Sequence, residues 1–133
     1  MKTRRIETDD DVATMLESPR AMVFLEATWS VHAISAGHRF GRVVELLDEF
    51  YRDLGVQCFV VSDEATTLKR RFAPREVADS TCGAGTVLWL QRGHGCVAFC
   101  VSPPAERELL MRTLRLWDAP VAQSVDAEPD SSV

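Results

Sequence analysis

An α/β fold, with a central mixed sheet and helices on both of its faces, is predicted by three observations on this sequence. Two apolar runs of strand length, AMVFLEA (21–27) and VQCFVVS (56–62), are nearly continuous, as strands buried on both faces are. Between them, from Ala33 to Leu54, the apolar residues recur at three- and four-residue spacing. After them, TVLWLQ and CVAFCV flank RGHG, two short strands on a glycine-bearing turn. The crossover implies a parallel pair and the hairpin adds antiparallel strands, so the sheet is mixed.

Each element has a local reason. In TDDDVATMLES, Thr8 is a natural N-cap with Asp11 three residues on, and the first turn is acidic. Val12, Met15 and Leu16 give this segment an apolar stripe, so a short helix is expected over 9–17, broken by SPR. The strand 21–27 follows. In the long helix, Ala33, Ala36, Phe40, Val43, Val44, Leu47, Phe50, Tyr51 and Leu54 form the inward stripe, and Gly55 is a stop signal. Gly37 and Gly41 weaken it by about 1 kcal/mol each relative to alanine.

After the strand 56–62, Asp63 is expected to cap a helix reaching about Ala73, with Leu68 and Phe72 inward and Pro74 ending it. The basic cluster Lys69-Arg70-Arg71 reads as solvated helix surface. Residues 75–85 show no period and read as a loop. Ser102 and Pro103 are expected to start the last helix, whose buried stripe is Leu109, Leu110, Leu114 and Trp117. From Asp118 the composition of Ala, Ser, Pro and acids reads as a disordered acidic tail, giving one domain over 1–117 and a tail over 118–133.

Composition bounds the function. The net charge is −5, and residues 118–133 carry four acids and no base, leaving about −1 for the rest. A near-neutral body argues against a nucleic-acid partner. No apolar run approaches the roughly 20 residues that cross a bilayer, so no membrane role is expected. MKTRRIETDDD has bases but no apolar stretch, so no secretory signal is expected and the cytoplasm is the expected location.

The four cysteines, Cys58, Cys82, Cys96 and Cys100, form no C-x-x-C pair and read as free thiols. On a regular strand, Cys96 and Cys100 would share one face about 13 Å apart, too far for a disulfide. Without a second close pair of Cys or His, no metal site is expected. Cys58, Cys96 and Cys100 are expected as small buried hydrophobes.

The order of elements, with Trp29 just before the first long helix, resembles the thioredoxin family over about residues 6–117. ATWSVHA stands at the place of the family's A-x-W-C-x-x-C, and GAGTVLWLQRGHGCV resembles its stretch of cis-proline, threonine, strand and glycine turn. The resemblance implies a thioredoxin-like fold, and the departures from it bear on function. Ser30 and Ala33 replace both redox cysteines, and a hydroxyl and a methyl cannot form a mixed disulfide. Gly85 replaces the cis-proline, Phe24 the buried acid of the central strand, and His38 the helix-kinking proline.

What the resemblance implies is a non-catalytic thioredoxin-like protein, with no cofactor, serving as a protein-binding, chaperone-like or assembly module. The family's groove holds extended polypeptide, so the expected contact surface is Trp29, Ser30, Val31 and His32 with Ala84 and Gly85. Some thioredoxin-like proteins that assist maturation of redox enzymes likewise lack the cysteine pair. The alternative is a single-cysteine enzyme or redox sensor at Cys82, in the loop bordering this corner. Ser30 is expected to cap the helix; with backbone amides it also offers a place for an anion or thiol ligand. A Ser30–His32–Glu26 triad would need side chains that sequence proximity alone does not bring together. Stabilisation of an operon neighbour is a third role compatible with the sequence.

Overall fold

The computed structural model describes residues 3–81 and 83–117; the acidic tail and Cys82 lie outside the described residues. In chain order the elements are β1 (Arg4–Ile6), α1 (Asp9–Leu16), β2 (Arg20–Glu26), α2 (Val31–Phe50), β3 (Val56–Ser62), α3 (Thr66–Lys69), α4 (Arg75–Ala78), β4 (Thr86–Gln91), β5 (Gly95–Cys100) and α5 (Glu106–Leu116). The five strands form one mixed sheet in the order β1-β3-β2-β4-β5. β1 and β2 each run parallel to β3, while β4 is antiparallel to both β2 and β5.

Side chains alternate across the sheet into two cores. Met22, Phe24, Val87 and Trp89 meet α2 and α5 on one face. Ala21, Val23, Leu25, Leu88 and Leu90 meet α1 and the α3–α4 region on the other. β2 is central and buried on both faces, which its unbroken apolar run anticipates. Trp89, in β4, donates its indole N–H to Thr113 Oγ1 at 2.9 Å, so a large apolar ring is buried without an orphaned donor. α1 has the expected capping box: Thr8 Oγ1 accepts from Asp11 N and an Asp11 oxygen accepts from Thr8 N. Donation from Glu7 N at 2.9 Å, joined by that from Thr8 N, holds the Asp11 carboxyl below its usual range.

Several expectations are corrected. β1 was not anticipated: three residues, Arg-Arg-Ile, carry no period, and only Ile6 is buried. Asp63 does not cap a helix. Its carboxylate instead takes Lys69 Nζ at 2.9 Å, and α3 starts three residues later without a side-chain cap. Lys69 is not solvated surface but fully buried, unlike its exposed neighbours Arg70 and Arg71. The stretch that reads as a loop contains α4, whose one turn is too short to show a period.

α2 ends at Phe50, and the following turn, Arg52–Leu54, is a 3₁₀ helix closed by Gly55. Phe50, the last residue of α2, is exposed rather than part of the stripe. Ser102 and Pro103 do not open α5. Pro104 disfavours helical geometry at Pro103, so the helix waits until Glu106. Arg39 holds the carbonyls of both prolines, at 3.0 and 3.2 Å.

Cys96 and Cys100 do not share a face. Ala98 pairs with Trp89 but Cys96 with Leu90, so Val97 is an extra residue, and this bulge reverses the alternation. Both thiols are half-buried, whereas Cys58 is buried.

The candidate site at the end of the central strand

β2 delivers the chain to the corner where α2 begins. Ser30 is the N-cap of α2, its Oγ accepting from Ala33 N at 3.3 Å. The same hydroxyl donates to the carbonyl of Gly83 at 2.6 Å. One small side chain therefore closes the helix end and ties it to the segment before β4. Trp29 covers that tie: a methyl group at Gly83 would fall 2.5 Å from its Cη2, so the indole lies directly on the glycine. Even so, Trp29 remains 56% exposed, and Val31 and Ile34 beside it are 79% and 47% exposed.

Ser80, Gly83 and Gly85 are each held in place. Lys69 Nζ donates to Ser80 O at 2.7 Å, Ser30 holds Gly83, and Gly85 is buried against the helix. A methyl at Gly85 would lie 2.8 Å from Ala36 Cβ and 3.1 Å from Phe24 Cε1. Phe24 fills the space beneath the corner, its ring stacked on Phe40 at 5.3 Å.

Of the sequence-predicted residues, Trp29, Val31 and His32 are exposed, Ser30 and Ala84 half-buried, and Gly85 buried. The corner thus presents three of them outward and uses the other three as its support. Cys82 falls outside the described residues. The triad does not assemble: Ser30's hydrogen is directed at Gly83 O, and Glu26 is engaged by Arg5 Nη2 at 2.8 Å.

Sequence reasoning missed Gly83, Lys69 and Ile34. The exposure of Ile34 was readable from its place one residue off the Ala33–Ala36 stripe; the lysine gave no signal, because its carboxylate partner is six residues away. A groove of about 280 Å³ runs beside the corner, walled by Phe24, Ala27, Thr28, Ile34 and His38. Among the described residues, no three His, Cys, Asp or Glu side chains cluster as a metal site, and no helix is long and apolar enough to cross a membrane.

Cys58 and Cys96 are held in check by their surroundings. Burial, aided by the Asp48 carboxylate, pushes the Cys58 thiol up from 9.0 to about 12, and burial also raises Cys96. Because the folded-state value of Cys58 lies above the unfolded one, its contribution to stability is whole below about pH 9. It declines as pH climbs toward 12. Urea unfolding at about pH 10.5 should therefore show a loss of about 2 kcal/mol that Cys58→Val does not show. Equal pH slopes in the two proteins would contradict the buried neutral thiol.

Comparison with known proteins gives no relative: no family model matches the chain, and neither does any curated protein sequence.

Proposed function

We propose that the chain is a thioredoxin-like domain without dithiol chemistry that works as a protein-binding, chaperone-like or assembly module, holding an extended polypeptide at the Trp29 corner. The element order and the place of the corner at the end of the central strand support the resemblance. The observation that carries the functional reading is the exposed indole of Trp29 seated on Gly83 and flanked by exposed Val31 and Ile34. A large aromatic held rigidly at the surface loses little side-chain entropy on contact, which is what an interface anchor requires. Ser30 and Ala33 offer no thiol, so recognition there proceeds without exchange.

Affinity capture with the wild-type chain, followed by titration of the captured protein against Trp29→Ala, tests the reading. The expected result is a loss of about 30-fold or more in affinity, as for an anchoring aromatic. An unchanged set of partners, or none, counts against the corner. Thiol titration of the native protein distinguishes the alternative. Cys58 and Cys96 are held as neutral thiols, so a single fast cysteine lost in Cys82→Ser would favour thiol chemistry over docking.

A further inference from the structure

Two stretches of chain meet beneath Trp29, and both lead back to one buried ion pair. The first is the end of β2. Glu26 O accepts from Asp63 N at 2.8 Å, so the strand that delivers Trp29 to the corner is held to the residue just after β3. The second is the backbone on which the indole rests. Gly83 O accepts from Ser30 Oγ at 2.6 Å, and Ser80 O, shortly before it in the chain, accepts from Lys69 Nζ at 2.7 Å. Lys69 Nζ also donates to Asp63 Oδ1 at 2.9 Å. These contacts close a circuit. It runs from Glu26 through Asp63 and Lys69 to Ser80, on to Gly83, and back through Ser30 to the residues that follow β2.

One joint in the circuit differs from the others. The Asp63–Lys69 joint is ionic and withdrawn from water, with side-chain exposures of 7% and 0%. Charge-assisted hydrogen bonds are short and strong, and a low local dielectric strengthens them further. Such a pair is nevertheless a poor source of stability, because apolar residues of similar volume are often as stable in its place. What it supplies here is a fixed separation between the end of β2 and the backbone leading to Gly83. None of the bonds of Lys69 goes to Trp29 itself; they go to Asp63 and to the carbonyls of Val77 and Ser80. The lysine acts on the indole through Gly83, against which the ring is seated so closely that a methyl there would lie 2.5 Å from Cη2.

We propose that Asp63 and Lys69 are positioning residues for Trp29, a buried clasp that holds the exposed indole in one pose. Its consequence for binding rests on the docking reading above; the pose itself does not. Fluorine NMR of the full chain labelled with 5-fluorotryptophan tests it, with the Trp29 signal assigned by its loss in Trp29→Phe. Lys69→Met with Asp63→Asn opens the clasp and leaves the backbone bond from Asp63 to Glu26 intact. The Trp29 signal should then move toward that of the free amino acid, while those of Trp89 and Trp117 stay in place. Leu47→Ala is the control: it leaves a cavity in the core about 25 Å along α2 from Ser30, and the Trp29 signal should not move. A Trp29 signal unmoved in the clasp variant, or moved equally by Leu47→Ala, overturns the proposal. If the clasp variant does not fold, Lys69→Met with Asp63→Leu, an apolar pair, decides in the same way. Affinity for the captured protein should fall by up to about tenfold in the clasp variant, since a released side chain must be ordered again on contact. If that affinity is indifferent to Trp29→Ala, the docking reading fails, and the fluorine signal still decides whether the clasp holds the indole.

Discussion

Lys69→Met should lower the stability of the protein by about 3–5 kcal/mol, enough to reduce the melting temperature by about 10 °C or more. The ammonium is fully buried and donates to Asp63 Oδ1 at 2.9 Å, Ser80 O at 2.7 Å and Val77 O at 3.4 Å. Its three protons thus have three acceptors, and no buried side-chain nitrogen or oxygen among the described residues lacks a partner. Methionine matches the length of the lysine stem but leaves the nearly buried carboxylate of Asp63 without its counter-charge, and that desolvated anion carries most of the cost. Asp63→Asn added to Lys69→Met removes the anion and should recover about half of the loss. If the double variant is no more stable than the single, the cost lies in packing or in the orphaned carbonyls instead. The same lysine anchors Ser80, so hydrogen exchange at Gly83 and Ala84 should quicken in both variants, because the rescue restores charge balance but not the tether.

The contrast between Lys69 and the rest of the fold shows what a sequence discloses. β2, α2, β3 and the β4–β5 hairpin were legible because each buries a face, and burial imposes a period on the residues. α1 was legible through its cap. What escaped notice was fixed by tertiary partners rather than by period. β1 is a strand only because β3 offers it an edge, and α4 is one turn long. Lys69 reads as one base in a basic run, and only the fold brings Asp63 and Ser80 around it. Val97 hides a bulge that no alternation rule anticipates, and with it the opposite facing of Cys96 and Cys100. At the candidate site, Trp29 and Ser30 were readable from their place between strand and helix. The Ser30–Gly83 bond was not, because its acceptor lies 53 residues away on the backbone, where sequence leaves no mark.

Gly85→Ala is expected to cost about 2–5 kcal/mol, and the reason connects two features of the corner that the sequence presents as separate. At φ +78 any L side chain is strained, by roughly 1–2 kcal/mol. The added methyl would also lie 2.8 Å from Ala36 Cβ, 3.1 Å from Phe24 Cε1 and 3.3 Å from Ala33 Cα. Two of those atoms belong to α2 itself and cannot rotate away, so overpacking adds about 1–3 kcal/mol. Gly93→Ala provides the control. Its φ of +84 carries the same backbone cost, but nothing lies within 4 Å of the new methyl, so that variant should lose only about 1–2 kcal/mol. Equal losses at the two glycines would show that close packing at the corner contributes nothing. If the packing account holds, Phe24→Leu should soften the effect of Gly85→Ala, because the ring that fills the space beneath the corner is part of what the methyl meets. Phe24 and Gly85 then form a matched pair: the ring occupies the space under the helix, and only a residue without a side chain passes over it. Under the thioredoxin-like reading, these are the positions of the buried acid and the cis-proline. A proline cannot adopt φ +78. On that proposal the two replacements belong to one change, a packed support for the surface that carries Trp29 standing in place of a pocket for proton transfer.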